Sequence, residues 1–250
     1  MRFYVITLFI VFFTVRLCYS ETINVQDKIR ELKSSDKTVR MHAIESLGKA
    51  HDKSSTQDLM DIFKNEKDGV IREYIIDALA RIGDNSAARF LLEISKDKKE
   101  LNGVRIAAIS ALGFFNGDEV IDGAGAIAAD ENEKTAFREI AVRSLGMSAN
   151  KKSIPVLKNV LQNSKNKELR LESVISLANT GGDESVDALS IAAKDSEPDV
   201  RKSAAISLAD IGTDKAVREL EKMSSDKDSK VKLLAQEQLK RFKKTVKKNK

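Results

Sequence analysis

The residues of this 250-residue chain whose types could carry chemistry are two histidines, one cysteine, a short glycine run and a periodic set of arginines. Metal binding, nucleophilic catalysis and acid–base catalysis all need such groups to converge. No H-E-x-x-H, no cysteine cluster and no G-x-S-x-G occurs. His42 and His51 sit in a helical stretch and its terminal turn, where surface or capping roles are expected. Gly123 and Gly125, in Ile121-Asp122-Gly123-Ala124-Gly125-Ala126-Ile127, have no strand before them and no Lys-Ser/Thr after them, so they do not form a nucleotide loop. Each helical glycine costs roughly 1 kcal/mol relative to alanine, and a thin helix with a soft spot or bend is expected there. The expectation is a protein with no catalytic residue, no cofactor and no metal ligand.

The arginines are the informative set. Val39-Arg40-Met41-His42-Ala43-Ile44-Glu45-Ser46-Leu47-Gly48 returns with substitutions six more times, and its basic anchor falls at Arg40, Arg72, Arg105, Arg138, Arg170, Arg201 and Lys232. The steps are 32, 33, 33, 32, 31 and 31 residues, a period that belongs to stacked helical hairpins. Basic anchors in a row could bind phosphate. Here, however, Asp36, Asp68, Glu197 and Asp228 precede their anchors by four residues, which favours helix capping and a structural acid–base ladder within or between repeats.

The elements that carry these anchors read as pairs. First helices are expected near 25–32, 57–63, 86–94, 119–128, 153–161, 184–193 and 215–223, each followed by a second helix that begins close to its anchor. Counting from the anchor, positions +3, +4 and +7 are apolar or small almost throughout, as in Ala43/Ile44/Leu47 and Ala141/Val142/Leu145, which makes one buried stripe of period 3.6. Position +6 is small in six of the seven copies, from Ser46 to Ser207, so that face should meet the next repeat closely. Glycines after the second helices, as at Gly83 and Gly212, read as helix ends. Pro155 and Pro198 fall in first helical turns, where the missing N–H costs nothing.

Val39-Arg40-x-x-Ala43-x-x-x-Leu47-Gly48, Val104-Arg105-x-x-Ala108-Ile109-x-x-Leu112-Gly113 and Val200-Arg201-x-x-Ala204-Ala205-x-x-Leu208-Ala209 resemble the repeats of HEAT-repeat proteins, in a short bacterial form related to those of phycobilin lyases. The resemblance covers about residues 24–242. It implies an all-α fold, a right-handed α-α superhelix of about seven helical hairpins. Proteins of this kind are mostly scaffolds and partner-binding modules, with a few enzymes among them, so fold alone does not name the activity.

Residues 1–20 have one early positive charge, about a dozen apolar residues and a small residue before Glu21. This is the layout of a signal peptide and is short for a membrane span of about 20 apolar residues. Cleavage after Ser20 is expected, with a membrane anchor through residues 3–19 as the alternative. Cys18 follows Val15-Arg16-Leu17, which departs from a lipobox, and a chain cleaved after Ser20 would hold no thiol. The solenoid is expected over 21–239 and a basic tail over 240–250. That tail holds seven Lys and Arg and no acid, which leaves the body mildly acidic despite the net charge of +5. A nucleic-acid footprint along the body is disfavoured, whereas the tail suits weak contact with anionic lipid.

Positions +1, +5 and +9 of the second helices form a stripe expected to line the concave side. It is mainly polar in the first two repeats and then carries Ile106, Phe114, Met147, Leu171, Ile175 and Ile206. A contiguous apolar patch marks a binding surface. The expected function is therefore a non-enzymatic protein-binding scaffold of the envelope or periplasm, with these six residues facing the partner. The alternatives are an enzyme or accessory protein resembling the bilin lyases, and a nucleic-acid binder.

Overall fold

The computed structural model describes residues 23–248, with side chains through residue 242. The signal-peptide reading of residues 1–20 falls outside the described residues. Among the described residues there is no strand, and fourteen helices make seven hairpins. The first helices are α1 (Val25–Glu31), α3 (Thr56–Asn65), α5 (Ser86–Lys96), α7 (Asp118–Ala129), α9 (Ile154–Asn163), α11 (Gly182–Ala192) and α13 (Asp214–Met223). The second helices are α2 (Lys37–Ala50), α4 (Gly69–Ile82), α6 (Asn102–Ala111), α8 (Thr135–Met147), α10 (Lys167–Thr180), α12 (Pro198–Ile211) and α14 (Ser229–Lys248).

Most second helices start on a local device. Asp36 accepts from the Thr38 amide, Asp68 from Val70 and Ile71, Asn166 from Leu169, and Asp228 from Lys230 and Val231, which satisfies donors that the first turn leaves open. Glu197, one methylene longer, makes no such cap, and Pro198 at the start of α12 takes over the role of ordering that turn. At the other end Gly83 and Gly212 adopt left-handed φ of 66° and 63°, open to glycine without strain, and their amides close onto Leu79 O and Leu208 O.

Two layers result. The second helices pack successively on one another and the first helices do the same, but contact is far more extensive within the second-helix layer. The side chains at +3, +4 and +7 are buried in all of the first six copies. Small side chains at +6 explain the closer layer: Ser144 Oγ donates to Ile109 O at 2.6 Å and Ser176 Oγ to Val142 O at 3.0 Å, each bonding a helix of the preceding repeat. The layer with the shorter helix spacing lies on the inside of any curvature, so the second helices line the concave side.

The anchors join consecutive repeats. Arg40 pairs with Glu66 at 3.3 Å, Arg72 with Glu100 at 2.5 Å, Arg105 with Glu133 at 2.7 Å, Arg170 with Asp195 at 2.7 Å and Arg201 with Asp226 at 2.9 Å. The partner always stands downstream, in the loop before the next anchor. Of the acids four residues before the anchors, Asp36, Asp68 and Asp228 are thus caps, and none of the four pairs with its own anchor among the described residues; Asp68 bridges to Lys37 instead. The guanidinium groups also lie over aromatic rings, Arg72 over Phe63 at 4.1 Å and Arg105 over Phe137 at 4.4 Å. Burial is the largest single influence on the Asp195 and Asp226 carboxyls and works to raise them, but hydrogen bonds from Arg170 and Arg201, the Glu197 and Asp228 amides and the arginines' Coulomb attraction together outweigh it and hold both below the usual range. The Glu133 carboxyl is held down chiefly by its hydrogen bond with Arg105.

Two local expectations need correction. The stretch with Gly123 and Gly125 is not a soft bend but the continuous helix α7, with both glycines buried. A Cβ at Gly123 would overlap the Leu92 side chain, and one at Gly125 would meet Val156 at 3.1 Å, so the missing side chains admit those of the flanking first helices. The second helix of the third repeat stops early, at Ala111, and passes into a 3-10 turn over Leu112–Phe114, so Phe114 stands on that turn rather than on the helix. Phe115, at +10, is buried as Ile82 is at the same register.

Candidate functional site

In the first two repeats the +1, +5 and +9 face is self-neutralised. Lys49 pairs with Glu45 at 2.7 Å and Arg81 with Asp77 at 2.8 Å, both one turn apart on exposed helix. From the third repeat the same face changes character. Phe114 is 57% exposed, Met147 46%, Ile175 47% and Ile206 45%, each on a different repeat. The array itself does not cover them. Ile106 and Leu171, at +1, are only partly exposed and pack against the core, because +1 lies nearer the neighbouring second helix than +5 or +9.

The exposed set is joined across repeats by close backbone approach. A Cβ at Gly113 would meet Met147 Cβ at 3.0 Å, which puts Met147 beside the turn that carries Phe114. Between Met147 and Ile175, Arg143 reaches Glu172 of the next repeat through two hydrogen bonds of 3.0 Å. That contact, with the Coulomb attraction that accompanies it, raises the Arg143 pKa above its ordinary value. The apolar face thus carries one fixed, forked charge pair near its middle. Leu233, 56% exposed at +1 of α14, extends the face into the last repeat. It escapes a reading that treats the final copy only as a cap, although its register is visible in the sequence. Exposed apolar side chains also occur off this face, at Val70, Tyr74 and Leu101, near the starts of α4 and α6.

The histidines take no part in a reactive cluster. His42 is exposed, and His51 ends α2 in the left-handed region with its Nδ1 against Arg81 O of the next repeat. Among the described residues no group of three or more His, Cys, Asp or Glu is placed to hold a metal ion. A cleft of 580 Å³ opens between α5 and α7, in the other layer, and its charged groups Arg89 and Glu119 pair with each other at 3.3 Å. No described helix is long and apolar enough to cross a membrane.

A family model described as HEAT repeats matches residues 27–102, 98–178 and 154–240. Among solved structures, the complex of CpcE and CpcF of phycocyanin lyase from Nostoc sp. PCC7120 is similar at 18% identity, with a TM-score of 0.52, over 88% of this chain and 88% of that chain. Human deoxyhypusine hydroxylase is similar at 16% identity and a TM-score of 0.46, over 88% and 84%. An engineered protein is similar at 21% identity and a TM-score of 0.42, over 89% and 97%. At these identities the likeness is one of fold. No curated protein matches the chain.

Proposed function

This chain belongs to the HEAT-repeat family, and on that premise we propose that it is a non-enzymatic protein-binding scaffold of the cell envelope. The observation that carries the reading is the run of exposed apolar side chains Phe114, Met147, Ile175 and Ile206 on successive repeats, where the first two repeats carry paired charges. Isolated exposed apolar residues need no explanation, but a row on one face of neighbouring helices does. The partner is a protein whose apolar side chains fill the spaces between adjacent second helices. Phe114 and Ile175 are the expected anchors, since an aromatic or branched side chain desolvated at the centre of an interface carries a large share of binding. Ile106 and Leu171, partly covered already, support the floor of the surface. The Arg143–Glu172 pair gives the partner an orientation-dependent polar contact.

Affinity capture from the native envelope fraction tests the reading. Changing Phe114 and Ile175 together to Asp should abolish capture and leave helical content and the melting curve nearly unchanged. Capture that survives with the fold intact would overturn it.

The compartment rests on residues 1–20. Export with cleavage after Ser20 leaves a mature N-terminus at Glu21, and a soluble cytoplasmic protein that keeps Met1 would contradict it. The basic residues of 240–250 would add weak, salt-sensitive attraction to anionic headgroups.

A further inference from the structure

Five of the six arginine anchors have a carboxylate from the next repeat, and Arg138 does not. It is half-buried, its Nε donates to Ala128 O at 3.0 Å, and it makes no ion pair among the described residues. The register explains why. At the paired junctions the acid stands one or two positions ahead of the cap of the next second helix, as Glu133, Asp195 and Asp226 do. Ser164 occupies that place before α10. The Asn166 amide donates to Ser164 Oγ at 3.2 Å, just as the Glu197 amide donates to Asp195 Oδ1 at 2.9 Å and the Asp228 amide to Asp226 Oδ1 at 2.8 Å. The backbone is therefore shaped as at the paired junctions, and only the carboxylate is missing.

The missing group leaves space. Arg138 and Ser164 face a cavity of 230 Å³ that Asn159, Val160 and Asn163 of α9 help to line. We infer that this cavity receives a carboxylate side chain from a partner polypeptide, which completes the ladder between the fourth and fifth repeats. A guanidinium whose Nε is held by a backbone carbonyl still presents its terminal nitrogens to a carboxylate, as Arg105 does: its Nε donates to Ser95 O at 3.1 Å, ten residues upstream as for Arg138, while Nη2 donates to Glu133 Oε2 at 2.7 Å. The volume suits one side chain, not a nucleotide. Glu131 also lines the cavity, exposed and in no ion pair among the described residues, and its charge disfavours a dianion such as phosphate. The site lies among the loops that lead from first to second helices, away from the +5 and +9 positions, and stands independently of the apolar face.

The test needs no natural partner. The probe is a tripeptide with blocked ends and one central glutamate, its glutamine counterpart is the control, and NMR follows the arginine Nε–H resonances at constant ionic strength. The expected result is a saturable shift at Arg138, only a small linear drift at Arg72 and Arg170, and no response to the glutamine peptide. Ser164→Asp supplies the carboxylate within the chain. It should abolish the shift and raise the melting temperature by about 2–4 °C, a rise that Arg138→Gln removes. A shift at Arg138 no larger than at Arg72, binding that persists in Ser164→Asp, or a stronger response to inorganic phosphate would each overturn the inference.

Discussion

At Gly146 the second helices of the fourth and fifth repeats come so close that an added Cβ would lie 2.6 Å from Ser176 Cα, Cβ and Oγ. Two effects oppose each other at this residue. Alanine in a helix interior is favoured over glycine by roughly 1 kcal/mol, whereas forcing a methyl group into a filled contact costs about 1–3 kcal/mol. The obstacle includes backbone, which cannot turn aside as a flexible side-chain end would, so the clash wins. Gly146→Ala should lower stability by about 1–2 kcal/mol in reversible unfolding; a stabilised variant would mean that the two helices are free to move apart. The glycines also mark a boundary of what a sequence shows. Small side chains at +6 were legible as a close approach, but Gly123 and Gly125 read as weakness because their use lies in Leu92 and Val156, which belong to the first helices of the repeats on either side. A lone sequence shows what a glycine lacks, not what fills the space.

At the scale of the element, each second helix combines a buried stripe with a basic anchor, and most add a defined start. The stripe was legible because period 3.6 acts within one helix, and the caps because their geometry is local. Glu197 was the exception, and its longer side chain is the reason. The ladder was only half legible: acids stand four residues before four of the anchors and also in most of the loops ahead of the next one, and only packing of consecutive repeats decides which meets the guanidinium. The pairing has a consequence for pH. The folded carboxyls of Glu133, Asp195 and Asp226 lie below their unpaired values of 4.5 for Glu and 3.8 for Asp. Their contribution is therefore present above the unfolded pKa and is lost as pH falls through the lower folded pKa. The melting temperature should drop as pH goes from about 5 to about 3. High salt should leave much of that drop in place, because the pairs are shielded from solvent, while it screens exposed pairs such as Lys202–Asp199. Glu133→Gln should melt lower at neutral pH and show a shallower acid limb. An acid limb that vanishes in high salt would assign the effect to the surface.

Across the whole molecule, stability is shared between neighbouring repeats and the proposed binding face is laid along them. Seven hairpins present one face made of the same registers, so a partner can read several repeats at once. That face changes from paired charge in the first two repeats to exposed apolar side chains from Phe114 onward. Of the side chains singled out from the sequence, Phe114, Met147, Ile175 and Ile206 are exposed there, and Ile106 and Leu171 at +1 are partly covered. The period told which residues share a face, but the depth of +1 depends on the distance to the next helix, and the early end of α6 at Ala111 is tertiary. Leu233 belongs to the same face for the same geometric reason. The most direct measurement is the dissociation constant of the captured partner for three forms: the natural chain, the Phe114→Asp and Ile175→Asp double variant, and a Glu45→Lys and Lys49→Glu charge reversal on the same face of the first repeat. The account predicts a loss of about 100-fold or more for the double variant, the scale of two interface anchors, and little change for the reversal. Equal affinity of the double variant and the natural chain, with both folded, would contradict it.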